Sequence, residues 1–397
     1  MTDLMRDLEA APPDALLSLM IAARNDDRPH KVDLSVGIYK TADGQTPVLP
    51  SVLAAEEQIL RRQTSKAYES PQGNPVFCEL MEELALGEVS DRRTTFMTPG
   101  GSGALFIAFR FAKTITPGAS VWVSEPTWPN HRGIATGAGF PCQSYTYKAR
   151  EDGFADAAAI AASLEEAKAG DIVVLQGACH NPTGIDLDAD GWLNLAEFCK
   201  ARGLLPLVDV AYQGFAQGLD EDMTGVRSFL DQMSEAFLCV SCSKNFGLYR
   251  DRTGALIVQC TDEKIRDIVA SQVSSVVRTA YSMPPAHGAA IVAGILSDSA
   301  LRARWEDEVT EMRTRLINLR TVFHSALVSA TGRNDLMINR QNGMFSQLPI
   351  APEATVRVQE EKAIYLPKSG RINIAGLNEE RAEEIAQSLA PYLSAVD

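Results

Sequence analysis

The sequence is short of positive charge and of histidine. Against 37 lysines and arginines stand 51 aspartates and glutamates, with five histidines, for a net charge of −14. A chain this acidic repels nucleic acid and anionic membrane, so neither is expected as a partner. It also repels an anionic substrate at long range, so a site for one must rest on local arginines or lysines. Long apolar runs are missing too. The longest, ALFIAF (104–109), is cut by Arg110 and is too short to span a bilayer. The N-terminus, MTDLMRDLEAAPPDALLSLM, carries acids early and no basic stretch leading into an apolar one, which argues against a secretory signal. Cysteines number seven, an odd count. Cys239 and Cys242 bracket a C-V-S-C, but no second pair follows to complete a zinc site, so no metal is expected. Scattered free thiols fit a reducing cytoplasm, the expected location. Internal repeats and low-complexity segments are also lacking.

What is present is a long alternation. The 397 residues suggest two or three domains, and apolar residues make up 45% of them. Short runs rich in Val, Leu and Ile, bounded by Gly, Pro or Asp, read as buried strands: VWVSEP (121–126), DIVVLQGA (171–178), LLPLVDVA (204–211), AFLCVSCS (236–243) and TGALIVQC (253–260). Between them lie helical segments such as FADAAAIAASLEEAKAG (154–170) and DADGWLNLAEFCKARG (188–203), each closing near a glycine. This order predicts an α/β fold with a mostly parallel central sheet and helices on both faces. The last ninety residues differ. WEDEVTEMRTRLINLRTVFHSALVSA (305–330) has apolar spacings of three and four, then come short strand candidates and a final helix, EERAEEIAQSLAPYL (379–393). The expected division is an N-terminal arm (1–12), a large domain (47–310), and a smaller α+β domain built from 13–46 and 311–397.

In an open parallel sheet, ligands bind beyond the carboxyl ends of the strands. There the chemistry-bearing residues collect. Trp128 and His131 follow the first run, and Asn181 follows the second. Asp209 ends the third, with Tyr212 just after it. Ser241, Ser243 and Lys244 follow the fourth, and Arg252 stands just before the fifth. Upstream, a strand-like piece enters Pro99-Gly100-Gly101-Ser102-Gly103 before a helix, a natural cradle of backbone N–H groups for phosphate. It lacks the G-K-[ST] of an ATP-binding loop and does not complete G-x-G-x-x-G, so the phosphate is not expected to be that of ATP or a dinucleotide.

Trp128-Pro-Asn-His131, His180-Asn-Pro-Thr-Gly184, Asp209-x-x-Tyr212, Ser241-Cys-Ser-Lys-Asn-Phe-Gly-Leu-Tyr249, Arg252 and Arg371-Ile-Asn-Ile-Ala-Gly376 occur in this order. In these motifs the chain resembles the aspartate and aromatic amino acid aminotransferases from about residue 10 to 390. The resemblance implies a pyridoxal-5′-phosphate-dependent enzyme of the fold type I transferases, with Lys244 carrying the cofactor as a Schiff base. Burial and neighbouring cations would lower the pKa of such an amine. Asp209 would keep the pyridinium nitrogen protonated, oriented by His131. Tyr212 and Asn181 would donate to the ring oxygen, and Trp128 would stack on the ring. Gly101, Ser102, Ser241, Ser243 and Arg252 would hold the phosphate, joined by Tyr68 of a neighbouring subunit, which implies a homodimer.

For the substrate, the resemblance assigns the α-carboxylate to Arg371 and a side-chain carboxylate to Arg278 reaching across from the partner, with Gly37 lying against the substrate. Lys40 and Thr46 match the aspartate type. Ala67, Ser102 and Met283 depart from it and make the pocket roomier or more apolar, and Gln176 stands where a histidine supports the cofactor's surroundings. The expected activity is ping-pong transfer of the amino group of aspartate and aromatic amino acids to 2-oxoglutarate. A strict aspartate enzyme is the alternative. A lyase or decarboxylase of the same fold is disfavoured by the retention of both Arg278 and Arg371. A non-catalytic sensor with a DNA-binding domain is disfavoured by the acidic charge and by a first motif that begins near residue 30.

Overall fold

Seven segments form one sheet in the computed structural model, which describes residues 5, 6, 8–10 and 13–394. They are β1 (Arg93–Pro99), β2 (Val121–Glu125), β3 (Cys142–Thr146), β4 (Ile172–Gln176), β5 (Leu205–Val210), β6 (Ala236–Ser241) and β7 (Thr253–Gln259), in the spatial order β1-β7-β6-β5-β4-β2-β3. The five apolar runs of the sequence are all strands. β3 carried no such run because it is an edge strand whose CQSYT side chains are mostly exposed, so burial did not shape its composition. Successive residues point to opposite faces, as the pleat requires. Ile172, Val174, Leu207 and Phe237 join one core; Val173, Leu175, Val208 and Leu238 join the other. Each such side chain, fully buried, is worth about 1.5–3 kcal/mol against exposure. Helices Gly100–Ile115 and Glu263–Ala280 cover the first face, and Ala189–Arg202 and Glu221–Asp231 are among those covering the second.

Pairing is parallel from β3 through β2, β4 and β5 to β6, but β7 runs antiparallel to both its neighbours. The reversal brings the start of β7 beside the ends of β1 and β6, with Thr253 opposite Pro99 and Gly254 opposite Ser241. Arg252, just before β7, therefore joins the carboxyl edge where the other strands deliver their last residues.

Local signals set the helix ends. Asp188 caps Ala189–Arg202 by accepting from Gly191 N–H at 2.8 Å, and the helix closes on Gly203 at φ 63°. FADAAAIAASLEEAKAG is helical only over Ala157–Ser163. The chain then turns and buries Leu164 and Ala167. The long C-terminal helix starts earlier than its apolar pattern, spanning Ser299–Thr331 with Asp298 accepting from Ala300 and Leu301. The division expected at 310/311 thus falls inside one continuous helix. Val32–Asp33 pairs with Ile364–Tyr365, so the N-terminal segment does join the C-terminal region, where Phe345–Gln347 pairs with Arg371–Asn373. The last α-helix is Ala382–Leu389. Of the expected arm, residues 1–4, 7, 11 and 12 lie outside the described residues. All seven cysteines are free thiols, and no described helix is long and apolar enough to cross a membrane.

Gly254 lets β7 enter the sheet. A Cβ there would sit 2.5 Å from the Val240 carbonyl oxygen and 2.7 Å from the Gly100 carbonyl carbon, both backbone. Gly254→Ala is expected to destabilise the protein by about 1–3 kcal/mol, the usual cost of overpacking, read as a lower urea midpoint.

Candidate active site

A cavity of about 260 Å³ opens at the carboxyl edge of the sheet. Gly101 and Ser102 reach it from the first turn of helix Gly100–Ile115. Trp128 precedes helix Pro129–Gly137, Asn181 follows β4, Asp209 lies in β5 and Tyr212 just beyond. Ser241 ends β6, Ser243 and Lys244 come next, and Arg252 precedes β7. Gly37 and Arg371 close it from the N- and C-terminal segments.

One end is built for an anion. The first N–H groups of helix Gly100–Ile115 have no partner within the helix, and the hydroxyls of Ser241 and Ser243 share the same wall. The Arg252 guanidinium presses against this turn: Gly100 adopts φ 70°, and a Cβ there would lie 2.7 Å from Arg252 Nη2. Backbone donors, hydroxyls and a guanidinium converging on one spot suit a phosphate dianion.

The acid sits deeper. Asp209 is 8% exposed, and its Oδ2 is 2.9 Å from Nε2 of the fully buried His131. His131 Nδ1 is 2.8 Å from Thr127 Oγ1. A carboxylate only accepts, so Nε2 carries the hydrogen and donates, while Nδ1 accepts from the Thr127 hydroxyl. The imidazole is thereby satisfied on both sides, and Asp209 is held in place at the cavity wall.

The Lys244 amine lies 4.8 Å from the centre of the Tyr212 ring. Burial chiefly, with Arg252 and Arg371 adding repulsion and Asp209 opposing, pushes its pKa down to about 8. Burial also pushes the Tyr212 phenol well above its ordinary range, so it remains a donor. Asn181 is gripped at both backbone groups by Gln176: its N–H donates to Gln176 Oε1 at 2.9 Å, and its carbonyl accepts from Gln176 Nε2 at 3.0 Å. Its side-chain oxygen accepts from Arg371 Nη1 at 3.3 Å, which leaves the amide NH₂ as the free donor.

Arg371 is 5% exposed and enters no ion pair among the described residues. Its Nη2 donates to the Ser35 carbonyl at 2.7 Å, its Nε has no partner, and its guanidinium lies 4.3 Å over the Phe345 ring. A buried guanidinium with unspent donors is prepared for a carboxylate. Gly37 packs on the same ring, since a Cβ there would come 2.9 Å from Phe345 Cζ.

Two expected site residues are not brought to this cavity. Tyr68 is 91% exposed, and Arg278, exposed near the end of helix Glu263–Ala280, donates to Ser282 Oγ at 2.5 Å. They are the two that the resemblance assigns to a partner subunit. Four lining residues had no role in the sequence reading: Leu16, Ala211, Tyr249 and Phe345. Tyr249 stood within a recognised motif. Phe345 had no local signal, since it acts through Arg371 and Tyr212, which are distant in sequence.

Residues 29–389 match the family model for aminotransferases of class I and II. The chain belongs to this family. Among its relatives are an aspartate aminotransferase of Salmonella typhi, 43% identical over 98% of this chain and all of that one. Another is an aromatic-amino-acid aminotransferase of Pseudomonas aeruginosa, 43% identical over 96% of each chain. A solved aromatic-amino-acid aminotransferase from Burkholderia pseudomallei, covalently bound to pyridoxal phosphate, superposes with a TM-score of 0.95 at 37% identity, covering 99% of this chain and all of that one. This aminotransferase works with pyridoxal phosphate, and the cavity fits that group: an anion cradle at one end, a buried carboxylate beside an imidazole, two hydrogen-bond donors in Tyr212 and Asn181, and the Lys244 amine over the Tyr212 ring.

The lowered pKa of Lys244 gives a pH signature. The folded value lies below the 10.5 of a free lysine amine, so the neutral amine accumulates as pH rises through about 8. In the cofactor-free aminotransferase, capture of pyridoxal phosphate is expected to accelerate about tenfold from pH 7 to pH 9 and then level off. Stopped-flow absorbance measures it, and Lys244→Ala should abolish the visible band at every pH.

Proposed function

We propose that this aminotransferase takes the amino group of aspartate and of aromatic amino acids and passes it to 2-oxoglutarate in two half-reactions at one site. The observation that carries this reading is the buried Arg371 guanidinium, free of any acid, at a cavity also lined by Trp128, Tyr212, Phe345 and Leu16. A charged anchor for an α-carboxylate beside apolar walls accommodates either kind of side chain. Relatives named for aspartate and for aromatic amino acids support both halves of it.

Pyridoxal phosphate supplies an aldehyde for the amine and a ring that draws electron density from the substrate's Cα. The chain's own residues do the rest. Gly101, Ser102, Ser241, Ser243 and Arg252 would hold the phosphate, and Trp128 would lie against the ring. Asp209, oriented by His131, would hold a proton at the ring nitrogen. Tyr212 and the Asn181 amide would donate to the ring oxygen. Arg371 would fix the α-carboxylate, with the backbone at Gly37 against the substrate. The Lys244 amine would attach the cofactor and, when free, would take and return the proton at the substrate's Cα.

Tyr68 and Arg278 serve the site of a second copy, which makes the working form a homodimer. Both lie outside this chain's own cavity and carry exposed groups that suit a phosphate and a side-chain carboxylate. The cytoplasm is the proposed location, consistent with seven free thiols. The smaller domain is proposed as 13–46 with 311–397, hinged within helix Ser299–Thr331 rather than at a loop.

A transamination panel with 2-oxoglutarate tests the reading. kcat/KM for phenylalanine or tyrosine should lie within about 100-fold of that for aspartate, a gap of about 2.7 kcal/mol. A far larger gap would mark a strict aspartate enzyme. Arg278→Ala should lower kcat/KM for aspartate at least about tenfold more than for phenylalanine, because only the dicarboxylate loses a charge-assisted pair. Amino acid added alone should convert the cofactor's spectrum to that of the pyridoxamine form; a lyase or decarboxylase would release product without that conversion.

A further inference from the structure

Arg320, on helix Ser299–Thr331, is 2% exposed and enters no ion pair among the described residues. Its donors all end on neutral acceptors. Nε and Nη2 reach the Gly343 carbonyl at 3.2 and 2.9 Å, and Nη1 reaches the Ile338 carbonyl at 3.2 Å and Ser346 Oγ at 2.7 Å. Nη2 also reaches the carbonyls of Asn342 at 2.8 Å and Phe345 at 2.6 Å. Burying a cation without an anion is costly, and an apolar side chain would serve a core better. The fork is therefore read by what it holds, which is the chain reversal at 338–346.

That reversal leads directly into the substrate anchor. Phe345 opens the strand Phe345–Gln347, which pairs with Arg371–Asn373. Its ring lies under the Arg371 guanidinium, edge-on to Tyr212 at 5.9 Å and against Gly37. The same loop is tied on its other side, where Asn342 N–H donates to the Gly184 carbonyl at 2.7 Å and Asn342 Nδ2 to Asp186 Oδ2 at 3.0 Å. We infer that Arg320 is a positioning residue for substrate binding: its planar fork gathers these carbonyls so that the Phe345 ring holds Arg371 at the angle a substrate carboxylate requires. The inference rests on the reading of Arg371 as the α-carboxylate anchor.

Three variants of the holoenzyme test it, with KM and kcat measured for aspartate, phenylalanine and 2-oxoglutarate. Arg320→Lys keeps the charge and loses the fork; Phe345→Leu keeps Arg320 and removes the ring. Each should raise KM for all three substrates about tenfold with kcat within about threefold, and leave the cofactor's absorbance unchanged. The double variant should be no worse than the stronger single one, because both act along one chain of contacts. A lower melting temperature for Arg320→Lys with unchanged KM, or single effects that multiply in the double variant, would overturn the inference. If Arg320→Lys does not fold, Ser346→Ala removes one acceptor of the same fork: a KM rise of about threefold supports the proposal, and an unchanged KM overturns it. Arg371→Leu separates the layers. If it leaves KM unaltered, the anchor reading itself fails; if it raises KM while Arg320→Lys does not, only the role of Arg320 fails.

Discussion

Three cations, Lys244, Arg252 and Arg371, line one cavity in which Asp209 is the sole acid among the described residues. In a protein of net charge −14 this local excess of positive charge is the constraint on which the site depends. Loss of water chiefly, with repulsion from the other two cations added, depresses the Lys244 pKa and prepares the amine for an aldehyde. Under the proposed function the same excess would be relieved by an anionic ligand at each end, phosphate against Arg252 and carboxylate against Arg371. Asp209, hydrogen-bonded to His131, opposes this depression of the Lys244 pKa without cancelling it.

The topology makes this concentration possible. A wholly parallel sheet would start β7 at the far edge, and Arg252 would lie on the wrong side of the molecule. The reversal of β7 requires a glycine at 254, where a Cβ would come 2.5 Å from a backbone oxygen, and it delivers a guanidinium to the anion cradle. Gly100, with φ 70° against the same guanidinium, is the second point where only glycine fits.

The large sheet was legible because its inner strands are buried on both faces and read as apolar runs. So were the residues at their carboxyl ends, since polar groups that interrupt such runs stand out. What stayed hidden has physical reasons. β3 is a polar edge strand. The long helix begins at Asp298, ahead of its apolar pattern, and runs on through the expected domain boundary. Phe345 and Arg320 carry no local signal in sequence; their meaning comes only from the three-dimensional neighbours Arg371 and the carbonyls of 338–346. Gln176 was visible as a departure from the family pattern, but its grip on both backbone groups of Asn181 is a tertiary fact.

The energetics of the two substrate classes bear on why one cavity would serve both. A charge-assisted pair contributes about 1.5–3 kcal/mol, and burying an aromatic side chain contributes about the same, 1.5–3 kcal/mol. The first is available to a dicarboxylate only if an exposed arginine such as Arg278 gives up its freedom, at a cost in side-chain entropy of up to about 2 kcal/mol. The second is available to an aromatic side chain only if the walls are apolar and the arginine stands aside. Neither gain dominates the other, so under the proposed function selectivity rests on the walls around the shared anchor at Arg371 and not on that anchor itself. As proposed, a buried carboxylate-binding residue packed on Phe345, paired with an exposed one, is therefore the arrangement in which discrimination stays modest, whereas two buried anchors would favour the dicarboxylate outright.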